Sequence, residues 1–233
     1  MDISVVIPAY NEEKYIEKCL KSLSRQDFKG NYEIIVSDGS STDKTVKIAR
    51  RYADQVIIDA KSTIAYGRQT GSLAAKYSIL AYTDADTHIP SDWLSNIAAS
   101  MSDEKVVGVH GKLLPLDGNR IEEDFCKYII PPYSKFMVHI NKPSVPGSNF
   151  AVRKWAFDRV GGFNTKLVTG EDVDICARIK KLGKFVYNPD ALVYVSTRRV
   201  REWGYLKMIS HYTSNTILTH TFGKPRTDYD AIR

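Results

Sequence analysis

Two carboxylates one residue apart, Asp84 and Asp86, close an apolar run in the stretch SILAYTDADTHIP, residues 78–90. In an extended chain residues i and i+2 point to the same face. Both carboxylates therefore project together and repel unless positive charge lies between them. A divalent cation with oxygen ligands is one partner for such a pair; two solvated loop aspartates is the plainer reading. Three more polar motifs carry candidate chemistry. PAYNE (8–12) and SDGSSTD (37–43) each follow an apolar run, and TGEDVDICARIKKLG (169–183) reads as a helix with Asp172 in its first turn and Gly183 as a stop.

The elements that must position these groups alternate. ISVVIPAY (3–10), YEIIVSDG (32–39), QVIID (55–59), SILAYTDAD (78–86) and KVVGVHGKLLPL (105–116) read as strands, the first two apolar enough to be covered on both faces. EEKYIEKCLKSL (12–23) places Tyr15, Ile16, Cys19, Leu20 and Leu23 at helical spacing. STDKTVKIARRYA (41–53), AYGRQTGSLAAK (65–76) and SDWLSNIAASM (91–101) read as further helices. This alternation predicts βαβ units on a mostly parallel sheet, an α/β fold whose ligands lie beyond the carboxyl ends of the strands. PAYNE, SDGSSTD and DAD all fall at such ends and should share one edge. The second half is less regular: a short strand after PSVPGSN, a double-glycine turn in RVGGFN, and two short strands around Asn188-Pro189 within 184–196. Trp155, Phe157 and Phe163 are expected in the core.

The chain has 233 residues, 43% hydrophobic and 26% charged, which suits one large domain or a domain with an appendage. The net charge of +6 fits an anionic substrate, a membrane surface or nucleic acid and chooses none of them. Cys19, Cys126 and Cys176 lack ligand or pairing spacing, which suits free thiols in a reducing cytoplasm. ISVVIP is too short for a signal-peptide core, and no run approaches a membrane span, so neither is expected.

The blocks VVIPAYNEE, IIVSDGSSTDKT, YTDADT, PGSNFAVRKWAFDRVGGFN and GEDVDICARIKKLG, in this order, resemble the family 2 glycosyltransferases, which have the GT-A fold. The resemblance runs from residue 3 to about 200. It implies a transferase domain over 1–200, with a nucleotide-binding half over about 1–115 and an acceptor-binding half over about 116–200, followed by an amphipathic tail over 201–233. It implies sugar transfer from a UDP- or GDP-sugar to a glycan or lipid-linked acceptor, assisted by Mg²⁺ or Mn²⁺, with inversion and with no nucleic-acid partner.

Residue by residue, the resemblance makes Asp86 a metal ligand and Asp84 a metal and nucleotide contact, with Ala85 between them. Pro8, Ala9, Tyr10 and Glu12 line the nucleotide pocket. Asp38 contacts the base, a turn-capping aspartate beside Gly39 being the alternative. Arg68 contacts phosphate or nucleotide, or is a surface helix arginine. Asp172 is the base that takes the acceptor proton, or a carboxylate complementing a helix dipole. Glu171 orients the acceptor, Asp174 caps, and Gly147, Ser148 and Asn149 form part of the acceptor side. Many relatives carry a histidine beyond the second-half strands that helps hold metal or diphosphate. VYVSTRRVREWG (193–204) has none, and Arg198 or Arg199 can pair with the diphosphate instead. Metal dependence is open on that account.

From Arg198 onward seven Lys/Arg stand against three Asp/Glu, interleaved with Trp203, Tyr205, Leu206, Met208, Ile209, Tyr212, Ile217, Leu218 and Phe222. Such a helix can lie on the inner face of a membrane, or pack on its own domain or on a partner. YIIPPYSKFMVHI (128–140) is apolar and broken by Pro131-Pro132, a greasy entry for a lipid-linked acceptor. Three other functions compete. A nucleotidyltransferase would want glycine after the first strand, which PAYNEEKY lacks. A polyprenyl-phosphate acceptor is already ionised and needs no base. A non-catalytic sugar- or lipid-binding module would not need Asp86 and Asp172.

Overall fold

The computed structural model describes residues 1–59 and 63–223. Residues 224–233 of the expected tail, and the side chains of Tyr205, Leu206 and Ile209, lie outside the described set. A seven-stranded sheet runs in the order β3-β2-β1-β4-β6-β5-β7. The strands are β1 (Ile3–Ala9), β2 (Tyr32–Asp38), β3 (Gln55–Ile58), β4 (Ile79–Tyr82), β5 (Val106–Pro115), β6 (Phe150–Arg153) and β7 (Lys184–Val195). β6 runs antiparallel to both of its neighbours, and the remaining pairs are parallel. The helices are α1 (Ile16–Leu23), α2 (Thr45–Ala49), α3 (Ile64–Ala74), α4 (Trp93–Ser100), α5 (Arg120–Asp124), α6 (Ile130–His139), α7 (Lys154–Arg159), α8 (Glu171–Ile179), α9 (Arg198–Trp203) and α10 (Tyr205–Phe222).

The period of two along β1 splits its side chains between two cores. Ile3, Val5 and Ile7 pack with Ile16, Cys19, Leu20 and Leu23 of α1 and with Trp93, Leu94 and Ile97 of α4. Val6 packs on the other face with Leu80, Tyr82, Phe157 of α7 and Ile175, Cys176 and Ile179 of α8. Each of these large side chains contributes about 1.5–3 kcal/mol by leaving water. α3 lies so close to β1 that a Cβ on Gly71 would stand 2.5 Å from Val6 Cγ1. Glycine is what lets that helix dock on the strand.

Two expectations are corrected, and the tail takes one of the courses left open to it. The two short strands of 184–196 are one strand, β7. Its pairing with β5 jumps from Gly111↔Asn188 to Leu113↔Val193, so the turn-like Asn188-Pro189 is absorbed as a bulge. Trp155 is 47% exposed on α7 rather than in the core, while Phe157 and Phe163 are buried. The tail helix is broken at Gly204, φ +75°, and α10 packs back on its own domain, burying His211, Asn215, Thr216 and Thr219. Residues 120–139 are helical, with a π turn over Phe125–Ile129 leading into α6. Pro131 and Pro132 follow the π turn, where the hydrogen-bond register changes around their missing N–H groups.

Candidate active site

The parallel register Ala9↔Asp38 sets the ends of β1 and β2 side by side, and β4 ends next to β1. The first two loops are knitted together. Backbone N–H groups of Asn11, Glu12 and Glu13 donate to Ser41 Oγ (2.8 Å), Thr45 Oγ1 (2.8 Å) and Asp43 Oδ2 (3.0 Å). Asn11 Oδ1 accepts from Thr42 N at 2.9 Å, and Asn11 adopts φ +54° to make the turn. The short polar side chains of Ser41, Asp43 and Thr45 thus satisfy the backbone donors of NEE. Asp38 is fully buried and accepts from Ser41 N (2.7 Å) and Ser41 Oγ (2.6 Å). It occupies the turn-capping position and offers no exposed face to a base in this conformation.

The Asp84–Asp86 turn is fastened from below. Asp84 O accepts from Thr87 Oγ1 (2.8 Å) and Cys19 Sγ (3.4 Å), while Thr83 Oγ1 and Thr87 Oγ1 lie 2.9 Å apart. Ala85 is buried in the turn. His88 and Tyr194 exchange backbone hydrogen bonds of 2.9 and 3.0 Å, tying the loop to β7. Burial, with the negative charge of Asp84 added, raises the Asp86 carboxyl above the usual range, against the opposing charges of Arg198 and Arg199.

Two arginines meet these carboxylates from opposite sides. Arg68 of α3 is 2% exposed. Its Nη2 donates to Asp84 Oδ1 (2.8 Å) and to Gly147 O (2.9 Å), and its Nη1 donates to Glu171 Oε1. Burial alone would favour loss of its proton, but the charges of Asp84, Glu171 and Asp172 prevail and raise its pKa. The guanidinium is spent on protein carboxylates, and the buried Nε makes no hydrogen bond, so the expected phosphate contact has no free face. Arg198 of α9 takes the other side. Its Nη2 and Nη1 donate to Glu12 Oε1 (2.6 Å) and Oε2 (3.2 Å), and its Nε lies 3.0 Å from Asp86 Oδ2. It sits over the Tyr15 ring at 5.0 Å. Burial pushes the Glu12 carboxyl up, against the pull of Arg198. Arg199 donates to Tyr212 Oη.

The acceptor-side motif closes on the same point. Gly170, φ +71°, caps α8 and turns Glu171 and Asp172 toward Arg68. Asp172 Oδ1 accepts from Val173 N at 2.8 Å. Burial, then the charge of Glu171, push its carboxyl up to about 7. A Cβ on Gly147 would lie 2.6 Å from Arg68 Nη2 and 2.8 Å from Asp172 Oδ2, so a side chain there would displace both groups. Ser148 is buried beside it. Asn149 does not face the cleft. It is 1% exposed, its Nδ2 donates to Lys112 O (2.9 Å) and Ala191 O (2.8 Å), and its Oδ1 accepts from Trp93 Nε1 (2.9 Å). Asp174 accepts from Arg178 at 2.6 Å, a helix-surface pair. Pro8 and Tyr10 are half-buried at the end of β1, and Ala9 is buried.

The sequence reading missed the tail's part in this site. Thr169 Oγ1, His211 Nε2 and Asn215 Nδ2 lie within 3.1 Å of one another, pinning the TGED loop to α10. The Tyr212 hydroxyl lies in the field of Asp172 and Asp84. No local pattern marks these contacts. The spacing of His211 and Asn215, one helical turn apart, was the available signal.

Among the described residues no three Cys, His, Asp or Glu side chains converge as a closed metal cage. The donor set nevertheless fits a hard divalent cation. Asp84 and Asp86 crowd each other electrostatically, and each has one oxygen not taken by its arginine. Such a cation keeps several ligand positions for phosphate oxygens and water.

Known proteins place this architecture. Glycosyltransferase AglE of Haloferax volcanii is 30% identical over 197 residues, covering 78% of this chain and 62% of that protein. A dolichyl N-acetyl-α-D-glucosaminyl phosphate 3-β-D-2,3-diacetamido-2,3-dideoxy-β-D-glucuronosyltransferase of Methanococcus voltae is 28% identical over 226 residues, covering 84% of this chain and 67% of that one. The chain thus spans about two thirds of the length of these relatives. The mannosyltransferase PcManGT from Pyrobaculum calidifontis, solved with GDP-Man and Mn²⁺, superposes with a TM-score of 0.71 at 20% identity, over 97% of this chain and 65% of that one, which establishes the GT-A fold. A family model described as glycosyl transferase family 2 matches residues 4–161, more than half of the sequence, and the chain belongs to that family.

Proposed function

We propose that this chain transfers a sugar from a nucleotide-diphosphate donor to an acceptor hydroxyl, with inversion at the anomeric carbon and Asp172 as base. The observation that carries this reading is Arg68, which joins Asp84 of the donor-side turn to Glu171 of the acceptor-side helix and packs Asp172 against Gly147. One buried cation thereby joins a carboxylate of the donor-side turn to the residue next to the base. A sugar carbon placed between them is reached from both.

In this reading the nucleotide-binding half is about 1–115 and the acceptor-binding half about 116–200. The nucleotide lies along the knitted loops of β1 and β2, over Pro8, Ala9 and Tyr10, with Asp38 shaping the pocket floor through Ser41. Asp84 and Asp86 would hold Mg²⁺ or Mn²⁺, which supplies charge neutralisation for the leaving diphosphate. Asp172 takes the acceptor proton as the acceptor oxygen forms its bond to the anomeric carbon and the bond to the diphosphate breaks. Its raised pKa suits a base working near neutral pH. Arg198 and Arg199 meet the charge that builds on the diphosphate. Glu171, held by Arg68, keeps the base in place.

The donor is a UDP- or GDP-sugar; the solved neighbour with GDP-Man supports this class. The acceptor is a glycan or a lipid-linked sugar, the latter in keeping with the dolichyl-linked substrate in the name of the Methanococcus relative. Among the described residues no helix is long and apolar enough to cross a membrane. The testing experiment is calorimetry with UDP, GDP, CDP and dTDP, each with Mn²⁺, Mg²⁺ or EDTA, on the wild type and Asp86→Ala. One nucleotide should bind with metal and lose that binding in Asp86→Ala. Asp172→Asn should then retain nucleotide binding and lose roughly 10²–10⁴-fold in transfer rate. An unchanged rate in Asp172→Asn would remove the base and favour an acceptor that is already ionised.

A further inference from the structure

The strongest unassigned feature of the surface is the outward face of α6 and the π turn before it. Ile129, Tyr133, Phe136 and Ile140, spaced four, three and four residues apart, form one helical stripe. They are 56%, 39%, 58% and 40% exposed, and Tyr128 and Ile121 beside them are 69% and 79% exposed. Ser134 is the buried residue of this helix. A surface helix normally turns its apolar stripe inward; α6 turns its own outward. Contiguous exposed apolar surface of this kind marks an interaction site.

The charges around the stripe identify the partner. From Phe125 to Lys142 there is no Asp or Glu; Lys135 and Lys142 are exposed, while Lys127 donates to Glu123 of the preceding turn at 2.9 Å. At the end of the stripe the Lys180 ammonium donates to Asn141 O. Burial, then the like charges of Lys181 and Lys142, lower its pKa. Three ammonium groups gathered at one end of an apolar stripe repel one another unless an anionic surface shares them.

We propose that the outward face of α6, from Tyr128 to Lys142, is a docking surface for an anionic lipid bilayer. Phe136, Ile129 and Ile140 enter the acyl boundary, Tyr128 and Tyr133 sit at headgroup depth, and Lys135, Lys142 and Lys181 hold the phosphates. Five residues after Lys142 the chain reaches Gly147, which packs on Arg68 and Asp172. The bilayer so bound runs along the acceptor side of the cleft. The surface stands apart from the transfer reading, because vesicle binding needs neither donor nor metal.

The test is flotation of the full chain with phosphatidylcholine vesicles, with and without one third phosphatidylglycerol. The variants are Phe136→Asp/Ile140→Asp and Lys142→Glu/Lys181→Glu, with thermal melts to confirm folding. The wild type should float with the anionic vesicles and much less with the neutral ones. The apolar variant should bind at least tenfold more weakly. The charge variant should lose the preference for phosphatidylglycerol and the sensitivity to salt. The proposal is overturned if the wild type floats with neither vesicle, or if both variants float as the wild type does. A dimer by sedimentation that the apolar variant dissociates, without vesicle binding, would assign the surface to a second copy instead. Should the apolar double variant fail its melt, Ile129→Ser and the lysine variant carry the same comparison.

Discussion

Arg198 Nε lies 3.0 Å from Asp86 Oδ2 while the two terminal nitrogens of the same guanidinium hold Glu12. One cation from α9 thereby occupies the acidic edge where the metal and diphosphate are proposed to bind. Its removal should have opposite effects on two ligands. In Arg198→Ala, Mn²⁺ without nucleotide should bind more tightly, since no guanidinium competes for Asp86. The nucleoside diphosphate should bind about 10- to 10²-fold more weakly, as expected for a lost charge-assisted hydrogen bond of roughly 1.5–3 kcal/mol. Calorimetry with each ligand alone and together checks both signs, and a change of the same sign in both would contradict this double role.

Arg68 is buried with Asp84, Glu171 and Asp172 around it. Arg68→Met leaves those carboxylates without their counter-charge, a loss of about 3–5 kcal/mol when one partner of a buried pair is removed. Urea unfolding should show it, and adding Asp172→Asn should recover part of the loss because one of the stranded charges is gone.

Asp172 has a carboxyl raised to about 7 by burial and by Glu171, against roughly 3.9 for an unfolded aspartate. The native state therefore holds a proton that the unfolded state releases first. Its contribution to stability is full below about pH 4 and is lost as pH rises through about 7. Transfer follows the opposite course, rising across the same window as the base ionises. Urea titrations at pH 5 and pH 8, and a pH–rate profile, test the two together. Asp172→Asn should flatten the stability slope as well as the rate profile.

Gly147→Ala would place a methyl 2.6 Å from Arg68 and 2.8 Å from Asp172. The Arg68 and Asp172 side chains must give way, and a shift of the base near 1 Å costs about 10²-fold in rate. Nucleotide binding, which uses the loops of β1 and β2, should change little. Comparison of turnover with nucleotide affinity separates the two.

His211→Ala strips Thr169 and Asn215 of a partner in a buried cluster. Asn215 Nδ2 keeps its bond to Thr169 Oγ1, so the loss is about that of one net hydrogen bond, roughly 0.5–1.5 kcal/mol. Thermal melts should detect the loss, and transfer should fall with it because Thr169 leads into Gly170 and the acidic start of α8.

What the sequence determined by itself is local. The period of two in β1, the helical spacing of Ile16, Cys19, Leu20 and Leu23, and the βα alternation place PAYNE, SDGSSTD and DAD at the same sheet edge, because strand direction and connection length leave little freedom. The tertiary structure decided which charges meet. Arg68 and Glu171 are 103 residues apart, and Arg198 and Glu12 are 186 apart. No helical or strand period relates residues at such separations; only the closed sheet brings them within hydrogen-bond reach. The same holds for Asn149, a sheet lock bonded to Lys112, Ala191 and Trp93, and for Asp38, whose oxygens both go to Ser41. It holds too for the direction of the α6 stripe. The spacing of Ile129, Tyr133, Phe136 and Ile140 specifies one apolar face, but whether that face looks inward or outward depends on what the rest of the chain packs behind it.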